Sequence, residues 1–149
     1  MILNLKIQGL ENLSNLPEKA KRAAKKAIKA AGKEYYNQIH EDIDSGKSFT
    51  PRTGNLQQSI TIRFEGYKAI IGTHKEYAPF VEYGTKAHTI KPKNAKVLAI
   101  NTENGILFRK LVKHPGSKPY PFMFLNLERR LKQATDKAFE VFKSELKEI

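Results

Sequence analysis

The sequence has 149 residues, 40% hydrophobic and 28% charged, with Gly 9, Pro 7 and Cys 0. That length suits one compact domain over residues 1–149, and the lack of cysteine excludes disulfides, thiolate zinc, iron–sulfur clusters and a thiol nucleophile. Lys plus Arg is 27 against Asp plus Glu 15, a formal charge of +12 whose field attracts polyanions in a salt-dependent way.

Leu3, Leu5 and Ile7 alternate with Asn4, Lys6 and Gln8, the period of a half-buried strand. The segment has neither the basic region nor the apolar run of a signal peptide, and no later run nears the roughly 18 residues of a membrane span. Secretion and membrane insertion are therefore disfavoured, and no membrane partner is expected. Asn15-Leu16-Pro17-Glu18 then reads as a helix start, with Asn15 as cap, Glu18 as its partner and Pro17 in the first turn. Leu16, Ala20, Ala23, Ala27, Ala31, Tyr35 and Ile39 form one apolar stripe of small side chains, opposite much of the lysine. Gly32 is a weak point in that helix.

A loop at Asp44–Ser48 leads to two expected hairpins. In the first, Ile60–Glu65 turns through Gly66-Tyr67 into Lys68–Ile71, a two-residue type II′ geometry. The register pairs Glu65 with Lys68, Phe64 with Ala69 and Ile62 with Ile71, so the apolar side chains share one face. The second is signalled by Asn104-Gly105. Leu98, Ile100, Leu107 and Leu111 fall on one face with Thr102 and Arg109, while Val97, Ala99, Phe108 and Val112 fall on the other with Asn101 and Lys110. Both faces are partly apolar, unlike a sheet wetted on one side. Either a helix of the same chain or another subunit covers the second face. A closing helix follows Pro121, with Leu127, Leu131, Ala134, Ala138, Val141 and Leu146 as its stripe and Glu128–Lys132 as an exposed pair. The sum is an α+β domain: a mainly antiparallel sheet of about four to five strands, packed with a long N-terminal and a long C-terminal helix.

Familiar chemistry is scarce. Gly46-Lys47-Ser48 lacks the upstream glycine and strand of a phosphate-binding loop, and Asp42 and Asp44 lack the geometry of a calcium loop. No cofactor or metal motif stands out. His88 and His114, with Lys91 or Lys113, are a candidate acid–base set for a small basic nuclease if their loops converge. The lysine excess fits a solvated surface or a surface standing near nucleic acid; residues able to read bases are few.

Three segments are oddly structured for loops. The first, Thr50–Ile60, makes a tight Thr53-Gly54 turn before a helical turn anchored by Leu56 and ending at Ser59. The second, Tyr77–Thr85, holds Tyr77, Ala78, Phe80, Tyr83, Gly84 and Thr85, and packing its aromatics on the core leaves Glu82 as its single charge. The third, His114–Phe122, stiffens the entry to the last helix through its prolines, ending in Pro121-Phe122.

In this order and between two helices, the three segments resemble the tailed-phage family of neck and tail-completion proteins, also labelled minor tail components or virion morphogenesis proteins. The matching pattern is Pro…Thr-Gly-x-Leu-x-x-Ser-Ile, then Tyr-Ala-x-Phe/Tyr-x-Glu-x-Gly-Thr, then Pro-Phe before the closing helix, and it covers the chain from about Leu16. Arg52 departs from it, standing where an acidic residue is usual, and Pro51 lies one position closer. The resemblance implies a structural, non-enzymatic protein without cofactors, assembled in the bacterial host cytoplasm and placed in the virion neck or tail. It also implies a self-associated, typically six-fold ring that touches neck and tail-tube proteins. Closed heterologous rings need two different patches per subunit. Val97, Ala99, Phe108 and Val112 on the second hairpin and the loop from Lys86 to Lys96 are the two candidate patches, and Lys86, Lys91, Lys93 and Lys96 the candidate lining towards passing DNA. Glu82 either pairs with a neighbour's lysine or caps its own fold.

Overall fold

The structure is a computed structural model that describes residues 1–6 and 16–147. Its elements are β1 (Ile2–Lys6), α1 (Glu18–Asp44), α2 (Asn55–Gln58), β2 (Ile60–Glu65), β3 (Lys68–Thr73), α3 (Ala78–Tyr83), β4 (His88–Ile90), β5 (Leu98–Thr102), β6 (Gly105–Arg109), β7 (Val112–His114) and α4 (Leu127–Lys147). The α+β class is as expected, but the strands form three small sheets. One has three strands in the order β1-β3-β2; the pairs β4-β7 and β5-β6 stand apart from it.

The long helix α1 lies between the three-stranded sheet and α4. Two buried rows result, Ala23, Ala27, Ala31, Tyr35 and Ile39 from the expected stripe together with Ala24, Ile28, Gly32 and Ile43. A single stripe underestimates a helix covered on two sides. Gly32 is a point of contact rather than of weakness: a Cβ there would stand 2.5 Å from the Ala69 Cβ and 3.0 Å from Phe64. Pro17 occupies the N-cap position and Leu16 is exposed, so the stripe begins inside the helix. The expected cap Asn15 and strand residue Ile7 lie outside the described residues.

The first hairpin has the expected register, Glu65 opposite Lys68, Phe64 opposite Ala69 and Ile62 opposite Ile71. Gly66 takes a φ of +57° and Tyr67 a negative one, as a type II′ turn requires. α4 returns along α1 in the opposite direction, with Lys26 Nζ 2.6 Å from Glu145 near one end and Arg130 against Asp42 near the other. The expected Glu128–Lys132 pair is not formed among the described residues; Lys137 instead meets Glu140 at 3.2 Å.

Residues 85–117 leave this body as a two-stranded arm. A Thr85–Ser117 bridge and the β4–β7 pair share one register at its base, and β5–β6 forms its far end. Between the two pairs, residues 91–97 on one strand face residues 110–111 on the other. Leu111 and Val112 therefore lie outside the far ribbon, and Val112 pairs with Ile90. The far turn is Glu103-Asn104, with Gly105 opening the return strand at φ +111°. This moves the turn by one position but preserves the expected faces from Leu98 to Arg109, because strand faces repeat every two residues. Among the described residues no helix covers either face. All of β6 is exposed, with Ile106 at 62% and Phe108 at 59%. Among the described residues no helix is long and apolar enough to cross a membrane.

Candidate functional site

The three singled-out segments converge on one corner of the body. Its centre is the irregular stretch 120–124, where Phe122 and Met123 are fully buried. A buried stretch without regular structure must find partners for its peptide groups elsewhere. Glu82 supplies them on one side: its Oε2 accepts the Phe122 and Met123 N–H at 2.8 and 2.9 Å, and Oε1 accepts the Phe124 N–H at 3.1 Å. Arg130 supplies them on the other, its Nη1 donating to the Phe122 and Met123 carbonyls at 2.7 and 3.2 Å. The Tyr35 hydroxyl donates to the Met123 carbonyl at 2.8 Å. Burial raises the Tyr35 hydroxyl above its ordinary pKa of 10.0, opposed by the Arg130 charge, so the donor keeps its proton.

Arg130 is 0% exposed and is itself held by Asp42, whose Oδ2 lies 2.6 Å from Nη2 and 3.2 Å from Nε. Arg129 reaches the same oxygen at 3.4 Å, and Lys47 approaches Oδ1 at 3.7 Å. A buried guanidinium shared between a carboxylate and two carbonyls has few donors left unmatched, the condition under which such a charge is tolerated inside. Arg130 is not marked in the sequence, Asp42 enters there only as a rejected calcium ligand and Tyr35 only as a member of the apolar stripe. Asp42 and Arg130 lie 88 residues apart, and no local pattern links them.

Helix α3 is turned the other way round from the expectation. Glu82 is 2% exposed and Ala78 fully buried, whereas Tyr77, Phe80 and Tyr83 face outward, Phe80 at 59% and Tyr83 at 65%. The three amide donors make burial of the carboxylate favourable, and in a six-residue helix that fixes which side the aromatics take. Gly84 and Gly116 follow, where the two strands of the arm cross. Both have positive φ, 71° and 92°, and a Cβ on either would collide with the opposite backbone. Thr85 and Ser117 exchange backbone bonds of 3.0 and 3.1 Å there.

In the first segment Leu56 is buried, and the Ser59 hydroxyl bonds the Leu56 carbonyl at 2.7 Å and the Thr73 hydroxyl at 2.6 Å. Thr53 is exposed and Gly54 takes φ +71°. Phe49 meets the buried Phe122 edge-on at 5.8 Å. Pro121 is half-buried beside it. Outside this corner, residues 49–57 with Tyr77, Val81 and Tyr120 enclose an open cleft of about 590 Å³ whose single charge is Arg52.

The arm carries the remaining candidates. Lys86, Lys91, Lys93 and Lys96 are exposed along it, as are Val97, Ala99 and Phe108, while Val112 is half-buried at its base, apart from the other three. The β4–β7 register places His88 opposite His114, with ring centroids 5.0 Å apart. His88 Nδ1 lies 2.9 Å from the Lys86 carbonyl, and His114 Nδ1 accepts the Gly116 N–H at 3.0 Å. A neutral His114 thus carries its proton on Nε2, and that Nε2–H cannot serve as a metal lone pair. Among the described residues no cluster of three or more His, Asp or Glu is placed to hold a metal ion.

No curated protein and no solved structure matches the chain. A family model does: HK97-gp10-like, described as "Bacteriophage HK97-gp10, putative tail-component", over residues 8–84. That span includes the first of the three segments meeting at this corner and the second up to Gly84, and it exceeds half of the 149 residues. The chain belongs to the HK97-gp10-like family of phage tail components.

Proposed function

We propose that the chain is a structural subunit of the head–tail junction, its 149 residues acting as one domain. Copies form a closed ring, six-fold as is usual at such junctions, that ends the tail and joins it to the neck. Assembly takes place in the host cytoplasm, and the neighbours are neck and tail-tube proteins. The observation that carries this reading is the β5–β6 ribbon, partly apolar on both faces and uncovered by any helix among the described residues. Uncovered apolar surface of this kind marks a protein contact. Membership in a tail-component family supports the same reading.

In such a ring Lys86, Lys91, Lys93 and Lys96 form a diffuse basic lining. Mobile lysines attract passing DNA without the bidentate grip of arginine. Imaging of the purified protein, alone and with neck and tail-tube proteins, should give rings of about six copies, as expected for closed heterologous assembly. Particles that join heads to tails normally without this gene would overturn the assignment. Binding of mixed DNA should weaken steeply with salt and lose its slope when the four lysines are replaced by alanine.

A second reading draws on the His88–His114 juxtaposition. His88 with a free Nε2 lone pair as proton acceptor and His114 with an Nε2–H as proton donor form an acid–base pair in a small basic nuclease. Ribonuclease activity lost on replacing both histidines would favour it; its absence from clean protein removes it.

A further inference from the structure

We infer that the tip of the β5–β6 ribbon of one copy seats in the cleft beside Arg52 of the next copy, with Glu103 and Arg52 forming an ion pair across the contact. The inference rests on the ring reading and specifies its joint. Two features lead to it. The ribbon displays Ile106 and Phe108 on one face, more than half exposed, and the cleft is walled by Phe49, Leu56, Tyr77 and Tyr120. Each surface presents apolar side chains, the cleft mixing them with Thr50, Thr53, Asn55 and Gln57. The two surfaces lie on different parts of the chain, as a head-to-tail contact between copies requires.

Charge selects both the partner and the orientation. Glu103, at the very tip, is the only acidic residue between Glu82 and Glu128, a stretch with eight Lys and Arg. Arg52 is the only charge among the described residues that line the cleft. Both are exposed, and neither makes an ion pair with another described residue. The base of the ribbon carries Lys96, Arg109 and Lys110, so seating it base-first would set like charges against Arg52. Tip-first docking brings the acid to the arginine and keeps the bases at the rim, the arrangement by which charge fixes register.

The chain has no cysteine, which makes cross-linking clean. Asn104→Cys protein mixed with Thr53→Cys protein should form a disulfide-linked heterodimer under mild oxidation, and the doubly substituted chain a ladder of linked oligomers. In parallel, Arg52→Glu and Glu103→Arg should each weaken self-association at least tenfold, and the double variant should recover most of it. Cross-linking of Asn104→Cys with itself in preference to Thr53→Cys would mean ribbon-to-ribbon pairing and overturn the inference, as would a double variant no better than the singles. Rings seen without the 104–53 link would refute this joint and leave the ring standing. Linked open chains without closure would do the reverse, and neither rings nor links would remove both. Circular dichroism of each variant checks the fold, which these exposed positions leave intact.

Discussion

The corner around Phe122 and the ribbon β5–β6 treat their chemistry in opposite ways. At the corner, every peptide N–H from Phe122 to Phe124 finds an acceptor on Glu82, and the carbonyls of Phe122 and Met123 find donors on Arg130 and Tyr35. In the ribbon, the backbone pairs internally while Ile106, Leu107 and Phe108 lie open to water. One region satisfies its groups within the chain; the other leaves apolar side chains exposed, as the proposed ring contact would need. Residues of a motif that look functional can thus serve the fold.

The sharpest way to break this contrast is at the corner. Arg130→Ala takes the side-chain donor from the Phe122 carbonyl and leaves Asp42 only its longer contacts to Arg129 and Lys47, and should cost about 3–5 kcal/mol in denaturant unfolding. Glu82→Gln keeps the shape but places an amide donor against amide donors, and should cost about 1–3 kcal/mol. Gly32→Ala follows in size. Helix propensity alone favours alanine by about 1 kcal/mol, but the new methyl must displace Ala69 or Phe64, and overpacking of that kind costs about 1–3 kcal/mol. A net loss in thermal stability is expected, and a gain would show that the sheet yields.

The ribbon should respond differently. Ile106→Ser with Phe108→Ser should alter unfolding by no more than about 0.5 kcal/mol, yet abolish assembly seen by light scattering. The smallest effect is expected at His40, which stacks on Tyr36 at 4.5 Å. Burial lowers its pKa below the ordinary 6.5, with Asp44 opposing. The folded chain therefore binds that proton less readily than the unfolded chain, and stability present above 6.5 is lost as pH falls below it. His40→Gln should flatten that part of the stability–pH curve.

Much of this was legible in the sequence, and the reason is distance along the chain. The Gly66 hairpin and its register, both long helices and the faces of β5–β6 all follow from periodicity and turn chemistry within a few residues. The sidedness of α3 did not, because its deciding bonds reach from Glu82 to Phe122, 40 residues on. Nor did the β4–β7 pair, three residues a side in a segment rich in lysine and proline. The Asp42–Arg130 pair shows the same limit: each reads alone as an ordinary charge on a helix.

The crossing at Gly84 and Gly116 has one more consequence. The arm leaves the body through only two backbone strands, joined at Thr85 and Ser117. Such a graft point lets the arm change without disturbing the interior, because the buried bonds of Glu82, Arg130 and Tyr35 all lie on the body's side of it.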